Sequence, residues 1–91
     1  MTATATVSLT GSFTLDAIRR IQREVNGRLD ADGVTVDLSA ITEVDSTAVS
    51  LLLHWRRKAR EGGRTLTLHA PPASLVSLAK LYGVEDFLAL S

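Results

Sequence analysis

Apolar and polar positions alternate with period two in three short stretches of this chain, and recur with helical period in the segments between them. From Thr6 to Thr10 the β-branched run TVSLT predicts a strand that ends at Gly11, a residue free to take positive φ in a turn. The next segment, TLDAIRRIQREVNGRLD, repeats Leu15, Ile18, Ile21, Val25 and Leu29 at helical spacing, with Thr14 as the expected N-cap and Asp16 in the first turn. After the polar DADG, VTVDLS has the short, turn-bounded character of a buried strand. STAVSLLLHWRRKARE then reads as a second helix closed by Gly62-Gly63, with Arg56, Arg57, Lys58 and Arg60 near its negative end. RTLTLHA alternates like a third strand. Pro71-Pro72 stops it and pre-sets φ for a last helix, PASLVSLAKLYG, which Gly83 ends. The tail VEDFLAL is apolar enough to dock. The element order is therefore β-α-β-α-β-α, an α/β layer whose second and third strands are joined by a right-handed crossover and lie parallel.

Turning the second helix at 100° per residue from Ser46 separates it into two faces. Ser46, Ser50, His54 and Arg57 form a polar stripe flanked by Thr47 and Lys58, with Leu51 and Leu53 at its two borders. Ala48, Leu52, Trp55 and Ala59 fall on the opposite arc, with Val49 towards its edge, and are expected against the sheet. A polar stripe edged by leucines suits a solvated helix face and also a docking face. Asp45 or Ser46 can satisfy an orphan N–H at the helix start, and residues of this type there cap helices more often than they form sites.

Composition narrows the chemistry. A chain of 91 residues has room for one domain, residues 1–91, on a single core. Ten basic and ten acidic residues give zero formal charge, so no global field draws nucleic acid or an anionic bilayer. The basic run RRKAR has no interleaved aromatics for base stacking and reads as a solvated helix end. There is no cysteine, hence no disulfide framework, thiolate nucleophile or Cys-ligated zinc, in keeping with a reducing cytoplasm. The N-terminus does not read as a signal peptide, and no run reaches the roughly 18 apolar residues of a membrane span.

Catalysis is set aside on similar grounds. Neither His54 nor His69 has a clear carboxylate partner, and Ser46 and His54 are two helical turns apart, roughly 12 Å of rise. No phosphate-cradling glycine loop, H-E-x-x-H or dinucleotide turn is present, and the histidines are not at metal-ligand spacing. The expectation is a non-enzyme with no cofactor and no metal site.

The run VDLSAITEVDSTAVSLLL resembles the strand, loop and helix of the STAS domain, in which V-D-L-S is followed by V-D-[ST] and a small residue. STAS domains occur in bacterial anti-sigma-factor antagonists, anion transporters and the Mla-type accessory subunit of a phospholipid-transport ABC system. LLLHWRRKAREGG and LAKLYGVEDFL are most similar to that accessory subunit. The resemblance implies a STAS-like fold, a single layer of mixed β-sheet with helices packed on it, beginning at the family's second strand without room for a full N-terminal hairpin.

By the same resemblance the chain is a non-catalytic cytoplasmic subunit, peripheral to the inner membrane, that binds the transport ATPase and supports its assembly or activity in maintaining outer-membrane lipid asymmetry. It would not itself enter the membrane or bind nucleic acid. The hydroxyl after the Asp matches Ser46, so Ser46 and Thr47 would centre the partner interface, extended by Ser50, His54 and Arg57, with Leu51 and Leu53 giving apolar contact. In anti-sigma-factor antagonists the matching serine is phosphorylated by a partner kinase, which makes Ser46 a possible phosphorylation site under that alternative. Against it stand Ala48, where many antagonists have glycine, and GSFTLD, where they have a G-E-L-D turn.

Overall fold

A computed structural model describes residues 4–28 and 32–88, the side chain of Thr4 excepted. The elements are β1 (Thr4–Phe13), a 3-10 turn (Leu15–Ala17), α1 (Ile18–Asn26), β2 (Gly33–Val44), α2 (Ser46–Glu61), β3 (Thr65–His69), α3 (Ala73–Leu81) and a short α4 (Glu85–Leu88). Leu29, expected on the first helix, lies outside the described residues, as do Ala89 and Leu90 of the tail.

The strands form one sheet in the order β1-β2-β3. Both pairings are parallel, so the α/β layer is as expected while the described sheet is parallel throughout rather than mixed. Two right-handed crossovers that step in the same direction leave their helices on the same face of the sheet. The burial follows: Val7, Leu9, Val34, Val36, Leu38, Leu66 and Leu68 point into the core. The alternate positions Thr6, Ser8, Thr10, Thr65, Thr67 and His69 are exposed.

Two strands run further than their alternation suggests. β1 passes through Gly11 to Phe13, because Gly11 takes φ +78 inside the strand instead of ending it. The ladder to β2 shifts register at this place, between Ser8 and Thr10 and again between Gly11 and Ser12. Opposite the first shift the Ser39 N–H donates to the Asp37 carboxylate at 3.0 Å, a local turn-like bond that bends β2 and lets it continue to Val44. The V-D-L-S motif thus has a structural use at the bulge.

The expected inner arc of α2, Ala48, Val49, Leu52, Trp55 and Ala59, is buried. Trp55 and Phe13 are both fully inaccessible and pack with ring centroids 5.9 Å apart. The basic end of the helix is not uniformly solvated. Arg56 turns inward and donates from its two terminal nitrogens to the carbonyls of Leu66 and Leu88, each at 2.6 Å. Arg60 lies 4.9 Å over the Phe87 ring. Together they hold α4, with Leu88 fully buried, against α2 and β3.

Arg56→Met keeps the aliphatic stem and removes both bonds. Charge-assisted bonds of this kind contribute about 1.5–3 kcal/mol, so a loss of about 2 kcal/mol is expected. For a domain of this size that lowers the melting midpoint by roughly 10 °C, read by circular dichroism. A midpoint within about 2 °C of wild type would show that Arg56 does not clasp the tail.

Candidate functional site

The site is built where two helices begin side by side. Asp45 is the N-cap of α2, in extended conformation, and its Oδ1 accepts from the Thr47 N–H at 2.9 Å. Its Oδ2 accepts from the Leu15 N–H at 3.1 Å, thirty residues earlier in the chain. One carboxylate therefore caps both α2 and the 3-10 turn that leads into α1. Thr14, the N-cap expected from sequence, makes no side-chain capping bond; its place is taken by Asp45 because the two helix starts lie together.

Desolvation pushes the Asp45 carboxyl up, but it is outweighed by the bonds from the N–H of Leu15, the N–H and hydroxyl of Thr47 and the N–H of Ala48, and the net pKa lies below the ordinary 3.8. Asp45 is thus an ionised structural joint, and the hydroxyl residue beside it stands at a rigid, positively polarised helix end.

Beyond the cap, α1 and α2 enclose a shallow depression of about 280 Å³ lined by Ile18, Gln22, Thr47, Ser50, Leu51 and His54. Of the seven residues expected at a partner interface, Thr47, Ser50, Leu51 and His54 meet here. Leu51 is largely buried, 6 % exposed, and forms the apolar floor. Ser46 is exposed at the start of the helix, and Arg57 is exposed a turn beyond His54. Leu53 is half-buried and packs against the core on the other border, away from the depression.

Three residues were missed. Ile18 and Gln22 supply the wall from α1, and Leu15, expected in the core, is 66 % exposed beside the cap. Leu15 lies in the 3-10 turn ahead of α1, a turn that buries none of its residues, whereas the helix proper buries Ile21 and Val25. The geometry offers no nucleophile and base in contact. Among the described residues no group of three His, Asp or Glu side chains could hold a metal ion, and no helix is long and apolar enough to cross a membrane.

Residues 2–90 match the family described as "Mlab, STAS domain". A curated relative, the intermembrane phospholipid transport system binding protein MlaB of Haemophilus influenzae, is 33 % identical over 61 residues, 67 % of this chain and 58 % of that protein. The match therefore spans less than two thirds of that relative's length. Among solved structures, the STAS domain of a SulP transporter from Vibrio cholerae superposes with a TM-score of 0.67 over 94 % of this chain and 68 % of that one. At 14 % identity this likeness concerns the fold alone.

Because Asp45 uses both oxygens, Asp45→Asn keeps one capping acceptor and Asp45→Ala none. Expected losses are about 1 and about 2 kcal/mol, by denaturant unfolding at neutral pH. The folded carboxyl titrates below its ordinary 3.8, so its contribution is complete above that value and is lost as pH falls through the lower folded value. The stability gap between wild type and Asp45→Asn should hold from pH 7 to about 5 and close in stronger acid. A gap that widened in acid would contradict the double-cap reading.

Proposed function

This chain belongs to the MlaB-type STAS domain family, and we propose that it is a non-catalytic subunit that docks on the ATPase of a phospholipid-transport ABC complex and supports its assembly or activity. The observation that carries this reading is the apolar depression between α1 and α2, whose lining residue Thr47 is bound to the Asp45 cap that also holds the exposed Leu15 and precedes the exposed Ser46. Such a surface has an apolar floor and a rim of small hydroxyls with one imidazole, which fits recognition of a protein.

The carboxylate joint gives the docking face its rigidity. Asp45 fixes the start of α1 relative to the start of α2, so the depression is preformed and little ordering is required when a partner binds. Ser46 and Thr47 form the polar end of the contact, Leu15, Ile18 and Leu51 the apolar part, and Ser50, His54 and Arg57 the rim along the helix. Through its partner the chain would sit on the cytoplasmic side of the inner membrane. The family match and the curated relative favour this transport role over the anti-sigma-factor antagonist, whose defining act would be phosphorylation of Ser46.

Ser46→Glu adds bulk and charge at the polar end of the contact while placing an acidic side chain at a helix N-terminus, where it is tolerated. Capture of the purified transport ATPase should fall at least about tenfold, a change of about 1.4 kcal/mol. Ser46→Ala should retain it, and both variants should melt as wild type does. ATPase capture by Ser46→Glu equal to wild type would overturn the proposed interface.

A further inference from the structure

The two edges of the sheet are unlike. β3 is five residues long, is followed by Pro71-Pro72, and already has its Leu66 carbonyl engaged by Arg56. β1 runs for ten residues with no Lys, Arg, Asp, Glu or Pro among them, and no described strand pairs with its outer side. Natural edge strands are blunted by charge, proline, bulges or shortness. β1 has the bulge region, which begins beyond Ser8, and a bond from Arg20 to the Thr10 carbonyl at 3.4 Å, so Thr4–Ser8 carries none of these devices.

We propose that β1 pairs antiparallel with β1 of a second copy of this chain, about a twofold axis at Val7, giving a dimer with one continuous six-stranded sheet. The stretch Thr4–Thr10 lies before the Gly11 kink and has Val7 at its centre. A twofold axis perpendicular to the sheet keeps the helices of both copies on one face, so the buried Val7 side chains meet beneath them and the core continues across the joint.

The flank of α1 is complementary to itself about the same axis. Thr6, Val7, Ser8, Glu24 and Arg28 line one groove between the edge strand and the helix. In the twofold arrangement the two α1 helices run antiparallel, and Glu24 of each copy, already paired with Arg20 of its own chain, also faces Arg28 of the other, two residues past the end of α1. An isologous contact requires this exchange, in which residue i meets j and j meets i. On the other face of the sheet Thr6 stands opposite Ser8 of the second copy, in both directions. A contact of this size is at the low end of stable interfaces, so a concentration-dependent equilibrium is expected. It does not rest on the proposed ATPase contact, which uses the opposite side of α1.

Sedimentation equilibrium of the full chain from micromolar to millimolar concentration tests this. The wild type should rise from 9.8 kDa towards twice that mass. Thr6→Lys/Ser8→Lys sets four like charges around the axis on exposed positions and should stay at the monomer mass with an unchanged circular-dichroism spectrum. Thr6→Lys/Ser8→Glu pairs opposite charges across the same axis and should dimerise as well as wild type. Likewise Glu24→Arg should weaken the dimer, and Glu24→Arg/Arg28→Glu restore it. In the wild type, amide exchange of β1 should slow as concentration rises. A wild type that stays monomeric throughout would overturn the proposal. So would a dimer that survives the double lysine change, or one broken instead by Leu81→Glu/Tyr82→Glu at the exposed end of α3.

Discussion

The one-sided sheet is the constraint on which the other features depend. Three parallel strands taken in sequence order, each crossover right-handed, force all the covering helices to one face. Parallel sheets are ordinarily covered on both faces, with apolar runs to match. Here the strands alternate up to the bulge, Val7 and Leu9, Val34 and Val36, Leu66 and Leu68 inward, and mostly threonine and serine outward. The alternation that an antiparallel sheet would show is thus explained by topology. Because helices stand on one side only, α1 and α2 are neighbours along the sheet, and the place where both begin becomes a surface feature.

Asp45 converts that adjacency into a fixed geometry. A side chain with one acceptor could cap a single helix; a carboxylate has two oxygens, and here each takes an N–H from a different helix start. The consequence is mechanical. The hydroxyl residues after Asp45 are held against the first turn of α1, so Ile18 and Gln22 face Ser50 and His54 across a preformed depression. The cap and the near end of the depression are here the same construction, with the acidic residue structural and the hydroxyl beside it presented.

The local content of this arrangement was legible in the sequence. Helical period put Ala48, Leu52, Trp55 and Ala59 inside and Ser46, Ser50, His54 and Arg57 outside, and both sets lie where the 100° projection puts them. The three strands, the proline start of α3 and the docked tail were legible for the same reason, since period and turn chemistry act over a few residues. What could not be read was mostly long-range. Nothing near Thr14 says that its capping role passes to Asp45. Leu15 is on the helical spacing of Ile18 and Ile21, yet it lies in the 3-10 turn before α1 and is exposed there. Arg56 looks like one cation in a basic run, yet its carbonyl partners come from β3 and α4. The glycine that should have ended β1 is used within it, and only the register of the neighbouring strand reveals why.

The helix α1 shows how a small domain keeps two surfaces apart. Its buried line is Ile21 and Val25. To one side of that line Ile18 and Gln22 face α2 and the depression; to the other, Glu24 and Arg28 lie along the β1 edge. Arg20 reinforces the second side, pairing with Glu24 at 3.2 Å and reaching the Thr10 carbonyl at 3.4 Å. Because the helix has 3.6 residues per turn, Ile18 and Gln22 stay on one side of the core line and Arg20 and Glu24 on the other, while Arg28 continues the second side from the turn that follows Asn26. A partner seated in the depression and a second copy joined at the strand edge would therefore contact different faces of the same nine-residue helix. The two share only its backbone and its buried side chains.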